Sequence, residues 1–89
     1  DERVLLVDDE ADLADASALL LRKFGYDVIP MYYSRDALRI FIENPMAWDV
    51  VITDQVMPDM KGLEMIAGMK KARPDIPAIL CTGFSDFAT

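Results

Sequence analysis

Apolar residues in this chain alternate between short unbroken runs and longer stretches with helical spacing. The runs Arg3 to Asp8, Asp27 to Tyr32, Val50 to Asp54 and Ala78 to Thr82 have the length and turn-rich flanks of β-strands. Pro30 lacks an amide donor, which places the second strand at a sheet edge. Val50 to Asp54 is β-branched without polar alternation, which predicts a strand covered by helices on both faces. A first helix is expected from about Asp12 to Phe24, with Leu13, Ala16, Leu20 and Phe24 on its inward face, Asp12 as N-cap and Gly25 as the stop. A second follows Ser34 as N-cap, turns Ala37, Leu38, Phe41 and Ile42 inward, and ends at Asn44 and Pro45. Gln55 to Lys61 reads as a loop. A third helix follows Gly62, with Leu63, Ile66 and Met65 or Met69 inward, and stops before Pro74.

The order β-α-β-α-β-α-β predicts an α/β fold with a parallel sheet and crossover helices. Three of the runs stop at an oxygen-bearing side chain: Asp8 and Asp9, Asp54, and Thr82. Carboxyl ends of parallel strands share the edge at which open α/β sheets bind ligands, so three carboxylates and a hydroxyl converge there. Two unit charges about 6 Å apart repel by roughly 3 kcal/mol at an effective dielectric near 20, and the cluster therefore calls for a cation. Carboxylate oxygens suit a hard ion such as Mg2+, usually held by one or two carboxylates together with waters and phosphate oxygens. Asp54 beside such an ion is a candidate nucleophile for an aspartyl phosphate.

Composition narrows the class. The chain has 89 residues, 53% hydrophobic and 28% charged, enough for one domain with a modest core. Its 9 basic against 16 acidic residues give a net charge of -7, which opposes a phosphate backbone and argues against direct nucleic-acid binding. No apolar stretch is long enough for a bilayer and the acidic start is unlike a signal peptide, so a cytoplasmic location without membrane contact is expected. The single cysteine, Cys81, lies in an apolar run and reads as a buried structural thiol. The six methionines read as core filler, and no glycine-rich phosphate loop follows the first strand.

Val4-Leu5-Leu6-Val7-Asp8-Asp9-Glu10, Val51-Ile52-Thr53-Asp54-Gln55-Val56-Met57-Pro58-Asp59-Met60-Lys61-Gly62 and Ile79-Leu80-Cys81-Thr82-Gly83 together resemble the receiver domain of two-component response regulators. The resemblance implies a flavodoxin-like doubly wound sheet in the order 2-1-3-4, with residues 1–89 an incomplete receiver lacking its fifth strand and last helices. It implies phosphotransfer from a histidine kinase or phosphotransfer domain to Asp54. Mg2+ would be bound by Asp9 and Asp54, by Asp8 through water, and by the Val56 backbone carbonyl. Thr82 would hydrogen-bond the phosphoryl group and act as the switch. The family's phosphoryl-pairing lysine and aromatic switch would fall beyond Thr89; Lys23, Lys61, Lys70 and Lys71 do not match that lysine.

Val56 and Phe84, two residues beyond Asp54 and Thr82, are expected to tune the lifetime of the phosphorylated state, since neither side chain can orient an attacking water. The segment Leu-Cys-Thr-Gly-Phe-Ser is similar to receivers of hybrid sensor kinases. A homodimer or segment swap through the uncovered edge of the fourth strand is also expected. Two other classes compete: a receiver-like interaction domain that is not phosphorylated, and a metal-dependent aspartyl phosphatase. The latter needs a general acid where Val56 stands.

Overall fold

In the computed structural model, which describes residues 2–81, each apolar run is a strand and each helically spaced stretch a helix. The strands are β1 (Arg3–Val7), β2 (Asp27–Met31), β3 (Val50–Asp54) and β4 (Ala78–Cys81); the helices are α1 (Ala11–Lys23), α2 (Ser34–Glu43) and α3 (Gly62–Ala72), with a 3-10 turn at Pro45–Ala47. The strands form one parallel sheet in the order β2-β1-β3-β4. Pro30 lies opposite Leu6 on the edge strand β2, where a missing amide leaves no ladder bond broken.

Helices lie on both faces, and alternation along β1 divides the core between them. Leu5 and Val7 join Val51, Ala37, Phe41, Met65 and Met69 under α2 and α3, whereas Val4 and Leu6 join Ala18 and Val28 under α1. The inward face of α1 differs from expectation. Ala14 and Ala18 are buried, whereas Ala16 is exposed and Leu13, Leu20 and Phe24 are exposed at 52%, 56% and 73%. Methyl side chains let the helix backbone approach the sheet closely, so the small residues rather than the large ones meet it. On α2, Ile42 is likewise exposed, as is Leu63 on α3.

β3 is not sheathed equally on its two sides. Val51 and Thr53 are buried beneath α2 and α3, while Val50 and Ile52 are only half-buried because α1 packs mainly on β1 and β2. The same geometry leaves Ile79 and Cys81 exposed on β4, correcting the reading of Cys81 as an interior thiol.

Helix ends account for two further differences. α1 begins at Ala11 with Glu10 in the N-cap position and no side-chain cap; Asp12 sits in its first turn, where a carboxylate favours the helix dipole without capping it. Gly25, at φ +94°, ends α1 as expected, its amide donating to Arg22 O at 3.0 Å. Ser34 is the first helical residue of α2 instead of its cap, with Tyr33 in the capping position. At the opposite edge of the sheet, Arg73 Nη1 donates to the carbonyls of Pro45 and Trp48, and Arg3 lies 5.5 Å from the centre of the Trp48 ring. Trp48 is thus part of the core that closes this end.

Candidate functional site

β1 and β3 are adjacent and parallel, with Val7 in register with Thr53, so the residues immediately following arrive side by side at the carboxyl edge. Asp8, Asp9 and Asp54 each offer a carboxylate oxygen, and the three oxygens lie within 4.8 Å of one another. Asp8 and Asp54 are half-buried and Asp9 is exposed, so the cluster is accessible to solvent. At 4.8 Å each charge pair repels by about 3.5 kcal/mol at an effective dielectric of 20. Burial, followed by the Asp54 and Asp9 charges, pushes the Asp8 carboxyl above its ordinary value, partly offset by the hydrogen bond from Glu10 N–H at 3.0 Å.

The donor set fits Mg2+: hard oxygens, formal charge in excess of two, and room on the solvent side for water or phosphate oxygens. Asp54 Oδ1 accepts from Gln55 N–H at 2.8 Å; among the described residues its second oxygen has no hydrogen-bond donor from the protein. Thr53 is fully buried and donates its hydroxyl to Asp54 O at 2.9 Å, holding the backbone beneath the carboxylate. Lys70, at the end of α3, donates to Ile76 O at 2.8 Å and lies toward the opposite edge of the sheet. Cys81 is the ladder neighbour of Asp54. Thr82 and Phe84 lie outside the described residues.

Two residues absent from the expected site organise it. Gln55 closes the base of the 55–61 loop: its carbonyl accepts from Gly62 N–H at 3.0 Å and its side-chain oxygen from Leu63 N–H at 2.9 Å. Asp59, near the tip, accepts from Arg35 N–H at 2.9 Å and from the Ser34 hydroxyl at 2.7 Å. Burial works to raise the Asp59 carboxyl, but the hydrogen bonds from Arg35, Ser34 and its own amide together hold it below its ordinary value. No local signal marks Asp59: Ser34 reads as the cap from sequence, whereas the helix start has no side-chain cap of its own and its amides take an acceptor from the 55–61 loop. Val56 is 74% exposed and Met57 is buried in the core, so adjacent residues of the loop face solvent and interior.

A doubly wound parallel sheet carrying a hard-cation carboxylate cluster at its carboxyl edge is the architecture of phosphoryl-accepting α/β modules. Residues 4–89 match the family described as the response regulator receiver domain, and the chain belongs to it as a receiver of two-component signal transduction. It is 34% identical over 85 residues to the sensor kinase CckA of Brucella abortus, an alignment covering 96% of this chain and 9% of that protein. The chain therefore spans less than a tenth of that relative's length.

Among solved structures, a response regulator receiver domain protein from Clostridium thermocellum superposes with a TM-score of 0.90 at 36% identity, covering 98% of this chain and 69% of that one. The response regulator TrrA of Thermotoga maritima, solved with Mg2+ and BeF, gives 0.88 at 31% identity, over 98% of this chain and 74% of that one. TrrA in complex with the histidine kinase ThkA gives 0.86 at 30% identity, over 100% of this chain and 75% of that one. Receiver domains bind Mg2+ at the phosphorylation site.

Proposed function

We propose that Asp54 is the phosphoacceptor of this receiver and that Asp9, Asp54 and the Val56 carbonyl, with Asp8 through water, hold Mg2+ beside it. The observation that carries the reading is the convergence of Asp8, Asp9 and Asp54 within 4.8 Å at the ends of two adjacent parallel strands. When bound, Mg2+ supplies charge neutralisation for the transferring phosphoryl oxygens. An Asp54 oxygen forms the new O–P bond as the N–P bond of a phosphohistidine breaks, and the imidazole leaves with that electron pair. Gln55 N–H fixes the orientation of the carboxylate through Oδ1. The Thr82 hydroxyl then donates to the new phosphoryl group, converting local charge into rearrangement.

The donor in this reading is a histidine kinase or phosphotransfer domain in the cytoplasm; the complex of TrrA with ThkA supports a kinase partner. The chain acts as a signalling acceptor that assists its own chemistry, without a separate substrate. Val56, exposed and apolar, cannot position a hydrolytic water, so the phosphorylated state decays slowly and Val56→Glu should shorten its lifetime. An unchanged decay rate in that variant would remove the tuning role. The β4 edge, unpaired on its outer side among the described residues, is open to a second copy by strand pairing or segment exchange. Light scattering should then show mass rising with protein concentration, and a monomer throughout would exclude it.

Chemical localisation tests the acceptor assignment. After phosphorylation from a phosphohistidine-bearing protein, borohydride reduction of the acyl phosphate should change the mass of one peptide, at position 54. Reduction at Asp8 or Asp9, or at no carboxylate, would contradict the reading.

A further inference from the structure

We infer that Asp59 is a positioning residue for the metal site, acting by capping α2. The inference rests on the proposed ligand set of Asp8, Asp9, Asp54 and the Val56 carbonyl. Its basis is a circuit of short contacts. Asp59 Oδ2 accepts from Arg35 N–H at 2.9 Å, and its Oδ1 accepts from the Ser34 hydroxyl at 2.7 Å and from Ser34 N–H at 3.4 Å. Ser34 is fully buried, and its single hydroxyl proton is shared between Asp59 and the Met60 carbonyl, also at 2.7 Å. The helix has no cap of its own, so this carboxylate meets the amides that the first turn leaves unpaired and the positive end of the helix dipole.

Both ends of this clamp lead to the metal site. On one side, Asp59 belongs to the loop whose base is closed by Gln55 against Gly62 and Leu63 and whose Met57 is sunk in the core. Fastening the tip to α2 leaves the Val56 peptide little freedom to turn its carbonyl away. On the other side, Ser34 lies three residues beyond Met31, whose carbonyl accepts from Asp8 N–H at 3.0 Å. The clamp therefore fixes the Val56 limb and the Asp8 limb relative to each other. Metal affinity depends on such supporting contacts as well as on the ligands, and coupling between two sites is reciprocal.

The test is a Mg2+ titration of the full chain, followed by amide NMR well below its melting temperature. The parent is compared with Asp59→Asn, Asp59→Ala, Ser34→Ala and a distant control, Asp49→Ala, which removes the acceptor of Arg3 N–H at the opposite sheet edge. The Asp59 variants should weaken Mg2+ binding by about fivefold or more, with Ser34→Ala, which changes no charge, weakening it in the same direction. The control should bind as the parent does. In the parent, Mg2+ should also slow hydrogen exchange of the Ser34 and Arg35 amides, and it should fail to do so in Asp54→Asn. Weakening in the Asp59 variants with none in Ser34→Ala would assign the effect to charge alone and overturn the inference. Equal losses in the control, or unchanged binding in all variants, would overturn it as well. A parent chain that takes up no Mg2+ would refute the ligand set itself, and the inference with it.

Discussion

A Cβ at position 62 would run into the Asp54 carbonyl oxygen and meet Leu80 Cδ1 at 3.0 Å. Glycine is needed there for close backbone approach, because α3 starts directly against the end of β3. Gly62→Ala should cost about 1–3 kcal/mol of stability, read as a lower urea midpoint at constant slope; an unchanged midpoint would show that the helix start can shift freely. Asp59 makes a pH-dependent contribution of defined sign. Its folded value lies below the ordinary 3.8, so its stabilisation is present above that value and is lost as pH falls through the folded one. Asp59→Asn should be less stable than the parent at neutral pH, with the difference narrowing below about pH 4. A gap that stays constant with acidification would mean the charge of Asp59 is not what the cap uses.

At the level of elements, Phe41 on α2 is fully buried among Leu5, Val51, Met65 and Met69, and Phe41→Ala should cost about 3–5 kcal/mol by chemical denaturation. Arg73 joins α3 to the 3-10 turn through two carbonyls with its side chain mostly covered, so Arg73→Ala should cost about 1.5–3 kcal/mol. A loss below 0.5 kcal/mol would mark that tie as incidental. All four strands and three helices are legible in periodicity and turn residues, because those signals are local. The inward face of α1 is not, since Leu13 and Leu20 advertise burial while close approach to the sheet selects Ala14 and Ala18. The cap on α2 is hidden for another reason: its acceptor lies 24 residues beyond Arg35, and no local pattern reports such a pairing. The exposure of Cys81 is not legible either, since a short apolar run does not reveal which of its alternating residues, here Ile79 and Cys81, face solvent.

For the molecule as a whole, the carboxylate cluster is legible because parallel topology alone carries strand ends to one edge, whereas Gln55 and Asp59 become visible only once the loop has a shape. No helix among the described residues is long and apolar enough to cross a membrane. Repulsion among Asp8, Asp9 and Asp54 opposes folding until a cation relieves it, so Mg2+ at a hundredfold excess over its dissociation constant should stabilise the chain by about 2.7 kcal/mol. Asp9→Asn should lose most of that increment in a thermal melt, and an equal increment in both proteins would place the ion elsewhere. The central claim, phosphoryl acceptance at Asp54, is tested most directly by the intact mass of the chain after incubation with acetyl phosphate, with and without Mg2+, beside Asp54→Asn. One phosphoryl adduct on the parent, dependent on Mg2+ and absent from the variant, is the predicted result. An adduct that persists in Asp54→Asn, or a parent that binds Mg2+ and gains no phosphoryl group, would contradict it.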